Sequence, residues 1–277
     1  KVSKQSPEIN YAVNKNKLGA GDQGIMFGYA TCETKELMPL PILLANKLTK
    51  KLTEVRKNDS NSFLKPDGKA QVTVEYDDNK IKRIDTIIIA IQHNQDITQS
   101  VLKKYIIDNV INNVIPKDLI DENTKILINT SGSFIIGGPF GDSGTTGRKI
   151  VVDTYGGVGR VGGGCFSSKD PTKVDRSAAY YARFVAKNVV AHGFCDKCEI
   201  AVSYAIGLEY PISINIETFN TNKTSLEEIE KYIDTNFDFS VDNIIKELDL
   251  LKPIYYDLAS YGHFGRTDLN LSWEQIK

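Results

Sequence analysis

The order helix, strand, strand, helix occurs twice in this chain, once on each side of a glycine-rich centre at 131–164. In the first half, Leu40, Leu43, Leu44, Leu48, Leu52 and Val55 recur at helical spacing. Residues 71–76 and 85–91 are β-rich and joined by the turn-like Asp77-Asp78-Asn79, which predicts a hairpin. A second helix is expected over 97–114 and a short strand at 126–128. In the second half, Ala178, Ala182, Val185 and Val189 mark a helix ending near Gly193. Residues 199–204 and 212–216 predict another hairpin. Leu226, Ile229 and Ile233 mark the next helix, with Ser225 and Glu228 spaced as a capping box. Such a repeat implies an α+β fold: mixed or mostly antiparallel sheets with helices on one face. Along 87–91 both alternating sets of positions are apolar, so the second face of that sheet is expected to meet a neighbouring domain or another subunit.

A chain of 277 residues can hold two domains. Its formal net charge of −1 argues against bulk nucleic-acid binding or adhesion to an acidic membrane. No apolar run approaches the length of a membrane span. Cys32, Cys165, Cys195 and Cys198 are too few and too clustered for a disulfide scaffold, so a reducing cytoplasm is the expected location. Cys195 and Cys198 have CxxC spacing but no second ligand pair for zinc, and read as ordinary thiols leading into a strand. The polar opening, Lys1 to Lys17, reads as part of something longer.

Chemistry concentrates in four segments. Gly19-Ala20-Gly21-Asp22-Gln23-Gly24 matches GxGxxG, but the polar residues before it are no buried strand, so a strained turn aiming Asp22 and Gln23 at a ligand is preferred to a Rossmann fingerprint. Pro66-Asp67-Gly68 is strong turn chemistry, and composition alone favours a plain surface turn with Lys69 solvated over a ligand-binding role. Between Ser133-Phe134 and Arg148-Lys149 five glycines alternate with Asp142, a density that costs folding entropy and suits close backbone approach. The cations at its end precede the β-like 150–152 and are expected at a strand entry, placed for phosphate oxygens. Finally, Gly162-Gly163-Gly164-Cys165 leads through Lys169 and Lys173 to Asp175 and Arg176 at the mouth of a helix. That run suits a polyanion with a metal ion beside it, or simply a turn into a capped helix. No Ser-His-Asp or His-Cys arrangement stands out; His93, His192 and His263 are dispersed. Cations and backbone without a nucleophile or base suit a reaction whose nucleophile belongs to the substrate and whose leaving group is a polyphosphate.

These segments, with Gln5-Ser6-Pro7-Glu8 and Tyr261-Gly262-His263-Phe264-Gly265-Arg266, resemble the S-adenosylmethionine synthetases (methionine adenosyltransferases) along nearly the whole chain. The resemblance implies that family's three-domain, pseudo-symmetric α+β fold, here divided as 1–17 (remnant of an N-terminal region and gating loop), 18–136 (central) and 137–277 (C-terminal). It implies joining of L-methionine and ATP, with sulfur attacking ribose C5′, expelling tripolyphosphate, and later hydrolysis of that chain to phosphate and pyrophosphate. Lys69, Arg148, Lys149 and Lys169 are then the catalytic, triphosphate-binding residues. Phe134 stacks on adenine with Ser133 beside it, and Asp67, Asp142 and Cys165 complete the ATP site. Gln5, Asp22, Asp142 and Lys173 hold methionine, and Asp175 serves Mg²⁺; K⁺ is the second ion. The resemblance also implies a homodimer with shared active sites, often paired into a tetramer, with neither nucleic acid nor membrane as partner. Cys165 and Ser168 stand where Ala and Gly are usual. The family's Gly-His-Pro-Asp-Lys motif is missing from this sequence, so about three-quarters of the family's chain is covered. An active synthetase is the first reading; a non-catalytic fragment or regulatory chain that keeps polyphosphate affinity is the second.

Overall fold

The computed structural model describes residues 4, 6–13, 17–60, 62–142 and 147–277, without the side chain of Ala12. In chain order the main elements are α1 (Pro7–Val13), β1 (Gly24–Thr31), α2 (Leu40–Asn58), β2 (Leu64–Asp77), β3 (Lys80–His93), α3 (Gln99–Ile106), α4 (Asn112–Val114), β4 (Lys125–Ile128), α5 (Ile150–Asp153), α6 (Val174–Ala191), β5 (Lys197–Tyr204), β6 (Ser213–Glu217), α7 (Leu226–Asn236) and α8 (Val241–Glu247). One π-helical stretch, Ile107–Ile111, joins α3 to α4, so the helix expected over 97–114 is continuous but locally widened. Helices and separate antiparallel or mixed sheets make the fold α+β, as the repeated order implied.

The chain forms two compact units, Leu40–Thr145 and the discontinuous Lys1–Pro39 with Thr146–Lys277. In the continuous unit the sheet order is β2-β3-β4. β2 and β3 are the expected antiparallel hairpin, whereas β4 runs parallel to β3. Ile87, Ile89 and Ile91 of β3 are buried with Leu44, Leu48 and Leu52 of α2 and with Leu102 and Ile106 of α3 in one core. Ile88 and Ala90, on the other face, are half-buried.

In the discontinuous unit the sheet order is β1-β5-β6, all antiparallel. β1, from the start of the chain, is therefore an edge of a sheet whose other strands lie far downstream. α6 lies against this sheet and is buried from Val174 through Val190, polar residues included. Close approach has a visible cause at Gly28: a Cβ there would stand 2.0 Å from the backbone of Ala182 in α6. The capping box forms as spaced, Ser225 Oγ accepting from Glu228 N while Glu228 Oε2 accepts from Ser225 N. Among the described residues no helix is long and apolar enough to cross a membrane.

Candidate functional site

The predicted site residues divide between the two units. In the continuous unit, Pro66-Asp67-Gly68 is not the separate turn expected. It is a bulge inside β2, where four steps from Leu64 to Gly68 match two along β3. The bulge turns Asp67 aside, and its Oδ2 accepts a 2.8 Å bond from Gly138 N. Phe134 is held by two bonds to one histidine: His93 N donates to Phe134 O, and Phe134 N donates to His93 Nε2. His93 Nδ1 lies 2.8 Å from Asn94 O, which fixes the tautomer with Nδ1 protonated. Gly137 leaves room for the ring, since a Cβ there would sit 2.8 Å from Phe134 Cε2 and 2.9 Å from Asp67 Oδ2. Asp67 and Phe134 are thus brought together by Gly137. Lys69, Ser133 and Asp142 are exposed. His93, buried behind Phe134, was missed by sequence reasoning, because its signal is a contact across 41 residues.

In the discontinuous unit, Lys169 Nζ donates to Asp175 Oδ2 at 2.5 Å. The Asp175 carboxylate lies where a Cβ on Gly164 would strike it, 2.0 Å from Cγ, and beside Gly24, whose Cβ would stand 3.5 Å from Oδ1. Gly162 has a different purpose: its Cβ would meet Ile25 O of β1 at 2.2 Å. Close protein contact therefore explains two of the three glycines, and positive φ explains none of them. Ser168, in contrast, has φ +67, the left-handed region where glycine is favoured.

The Gly19–Gly24 turn docks beside the same segment. Gly21 N donates to Thr172 O, and a Cβ on Gly21 would meet Lys173 Nζ at 3.0 Å. Asp22 is thereby brought near Lys173, while its Oδ1 accepts from Gln23 N. Arg148 and Lys149 are exposed and precede not a strand but the short helix α5. The β-branched 150–152 run suggested a strand; local helical bonding, with Thr154 Oγ1 donating to Ile150 O, prevails. Cys165 packs under the turn at Gly147, where a Cβ would fall 2.7 Å from its own Cβ. Gln5, and the 14–16 part of the expected gating loop, lie outside the described residues. Cys195 and Cys198 are buried free thiols, and Cys198 opens onto strand β5 as expected.

Behind these loops, burial pushes the Asp153 carboxyl up to about 6, with the Arg176 charge opposing the rise. A carboxyl with a raised folded value binds a proton that the unfolded chain has released, so stability falls as pH rises between about 4 and 6. Asp153→Asn is expected to stabilise the protein at pH 7.5 by about 1 kcal/mol, after allowance for solvent screening, and to do nothing at pH 4. Thermal melts at the two pH values check it; equal melting temperatures at pH 7.5 would refute it.

Each unit thus carries its own part of the predicted set: a ring held on backbone beside Asp67 in one, and a lysine paired with a cradled carboxylate in the other. Family comparison agrees. The model for the S-adenosylmethionine synthetase central domain matches residues 17–134, and the model for its C-terminal domain matches 136–275. The chain belongs to the S-adenosylmethionine synthetase family. The S-adenosylmethionine synthase of Clostridium tetani (strain Massachusetts / E88) is 53% identical over 287 residues, covering 99% of this chain and 73% of that relative. The Asp175 carboxylate, held in its glycine cradle, has the chemistry of a single protein ligand to a divalent cation. Mg²⁺ commonly uses one or two carboxylates plus substrate phosphates, and among the described residues no group of three or more His, Cys, Asp or Glu could hold a metal by itself.

Proposed function

We propose that this protein forms S-adenosylmethionine, the product in the name of its Clostridium relative, and that it does so from ATP and L-methionine. The observation that carries the reading is the 53% identity across 99% of the chain. The Asp175 cradle supports it from geometry. A thioether sulfur has no proton to lose, so attack on ribose C5′ needs no general base. What it needs is stabilisation of a departing triphosphate, and preorganised cations supply that.

In this reading Lys169, Arg148, Lys149 and Lys69 hold triphosphate oxygens, and the same cations retain the chain for hydrolysis to phosphate and pyrophosphate. Phe134 stacks on adenine beside Ser133. Asp67 shapes the loop by holding Gly138, Cys165 supports the Gly147 turn, and Asp142 binds the nucleoside or methionine end. Asp22, Lys173 and Gln5 hold methionine. Mg²⁺ would offset phosphate charge when bound, and Asp175 would be the residue of this chain that holds it; K⁺ would be the second ion. The 18–136 and 137–277 domain division, a cytoplasmic location and a homodimer with shared active sites, paired into a tetramer, belong to the same proposal. The half-buried Ile88 and Ala90 face of β3 supports the dimer.

Mass spectrometry of the full-length protein incubated with ATP, methionine, Mg²⁺ and K⁺ tests this reading. S-adenosylmethionine that requires both substrates supports it. Tight ATP binding with no product favours the non-catalytic reading instead. Phe134→Ala is expected to raise the KM for ATP several-fold, about 1 kcal/mol of stacking, and to leave the KM for methionine unchanged. An unchanged ATP KM would remove Phe134 from the adenine site.

A further inference from the structure

The Tyr261–Arg266 motif was given no role in substrate binding, yet its backbone is closely specified. Tyr261 and Gly262 have φ +69 and +79, and Gly265 has φ +69. Arg266 closes the loop on itself, with Nη1 donating to Ser260 O at 2.7 Å and to Gly262 O at 3.2 Å. The loop delivers His263 into the interior, 2% exposed, where Trp273 Nε1 donates to its carbonyl.

From His263 a chain of hydrogen bonds leads outward. Tyr180, fully buried on α6, places its hydroxyl 2.6 Å from His263 Nδ1. The same hydroxyl accepts from Arg176 Nε at 3.1 Å, which leaves its own proton to be donated to an unprotonated His263 Nδ1. Burial first, and then the charges of Arg176 and Arg266, hold His263 down to about 3, neutral and able to accept. The guanidinium of Arg176 stacks 4.1 Å over Tyr255, and its Nη1 donates to the backbone carbonyl of Lys169 at 3.1 Å. In the other direction, His263 N donates to Asp153 O at 3.0 Å, at the end of the helix that follows Arg148-Lys149. One buried network therefore ties down both cationic segments of this unit.

We propose that Arg176, Tyr180 and His263 are positioning residues for polyphosphate binding, a directional relay that fixes the Lys169 loop and the α5 segment relative to each other. The proposal rests on the polyphosphate reading of Lys169, Arg148 and Lys149. The relay has one polarity: Arg176 gives to Tyr180, and Tyr180 gives to His263. Replacing an acceptor or the hydroxyl interrupts it without changing any residue that meets phosphate.

The test uses the full-length protein and inorganic tripolyphosphate with Mg²⁺ as the probe. Tyr180→Phe keeps the ring but removes the hydroxyl, so tripolyphosphate affinity and the KM for ATP should each worsen about tenfold. His263→Leu should do the same. His263→Asn, whose carbonyl can replace Nδ1 as acceptor, should stay within about threefold of the parent. Hydrogen exchange of the 168–173 backbone amides should accelerate in Tyr180→Phe and not in His263→Asn. If His263→Leu does not fold, the Tyr180→Phe and His263→Asn pair decides alone. Unchanged exchange, or unchanged tripolyphosphate affinity in folded Tyr180→Phe, would overturn the relay. A parent protein that fails to bind tripolyphosphate would instead sink the polyphosphate reading, and with it the relay's purpose, whatever the exchange data show.

Discussion

Lys169→Ala in the full-length protein is expected to cut turnover by about 10²-fold or more. Two effects act together. The variant removes a cation from the leaving group, whose charge grows as the ribose C5′–oxygen bond breaks. It also strips the Asp175 carboxylate, only 9% exposed, of the ammonium that sits 2.5 Å from it. Lys169→Arg should recover part of the rate, because charge returns, but not all, because a planar guanidinium fork does not reproduce the compact ammonium that pairs with Asp175. Initial rates at saturating ATP and methionine settle the matter; turnover within threefold of the parent for Lys169→Ala would remove that lysine from the catalytic set.

Glu274→Ala is expected to destabilise the discontinuous unit by about 3–5 kcal/mol. Glu274 lies near the chain's end but is buried under α6, where Arg183 Nη2 and Lys187 Nζ reach its Oε2 at 3.0 and 2.8 Å. Burial opposes its ionisation, yet the charges of Arg183 and Lys187 outweigh burial and keep its carboxyl below the usual range. Arg183 is fully buried and also donates to the carbonyls of Tyr29, Leu37 and Glu36, so it cannot withdraw into solvent. Removing the carboxylate leaves two buried cations facing each other without an anion. Gly265 N loses its acceptor as well. Urea unfolding measures the effect, and a loss below 1 kcal/mol would mean that water compensates the cations and that the clamp is dispensable.

The fold was legible where local pattern decides it. Apolar spacing placed α2, α6 and α7, and paired β-rich runs placed both hairpins. The capping box at Ser225 could be read directly, because both of its bonds span three residues. What was hidden depends on contacts across the chain. Nothing local indicates that β1 pairs with β5, about 170 residues away, or that Arg183 and Lys187 point into a core. Charged positions on a helix default to solvent, and here Glu274 together with the carbonyls of Tyr29, Glu36 and Leu37 reverses that expectation. The glycines show the same division. Their density signalled tight backbone approach, but the approach at Gly162 is to strand β1 and at Gly164 to Asp175, not to a ligand. Among the site residues, the sequence pointed to the Lys169–Asp175 segment, while His93 behind Phe134 and the relay behind Lys169 emerged only in three dimensions.

The central claim is that these cationic, glycine-rich segments hold a whole triphosphate as the leaving group. A quenched single turnover of the full-length protein with ATP, methionine, Mg²⁺ and K⁺ tests it most directly, with S-adenosylmethionine and all phosphate products quantified at each time. The account predicts that S-adenosylmethionine and enzyme-bound tripolyphosphate appear together in equal amounts, and that tripolyphosphate then decays to phosphate and pyrophosphate. Release of ADP or AMP independent of methionine, with no S-adenosylmethionine formed, would contradict it.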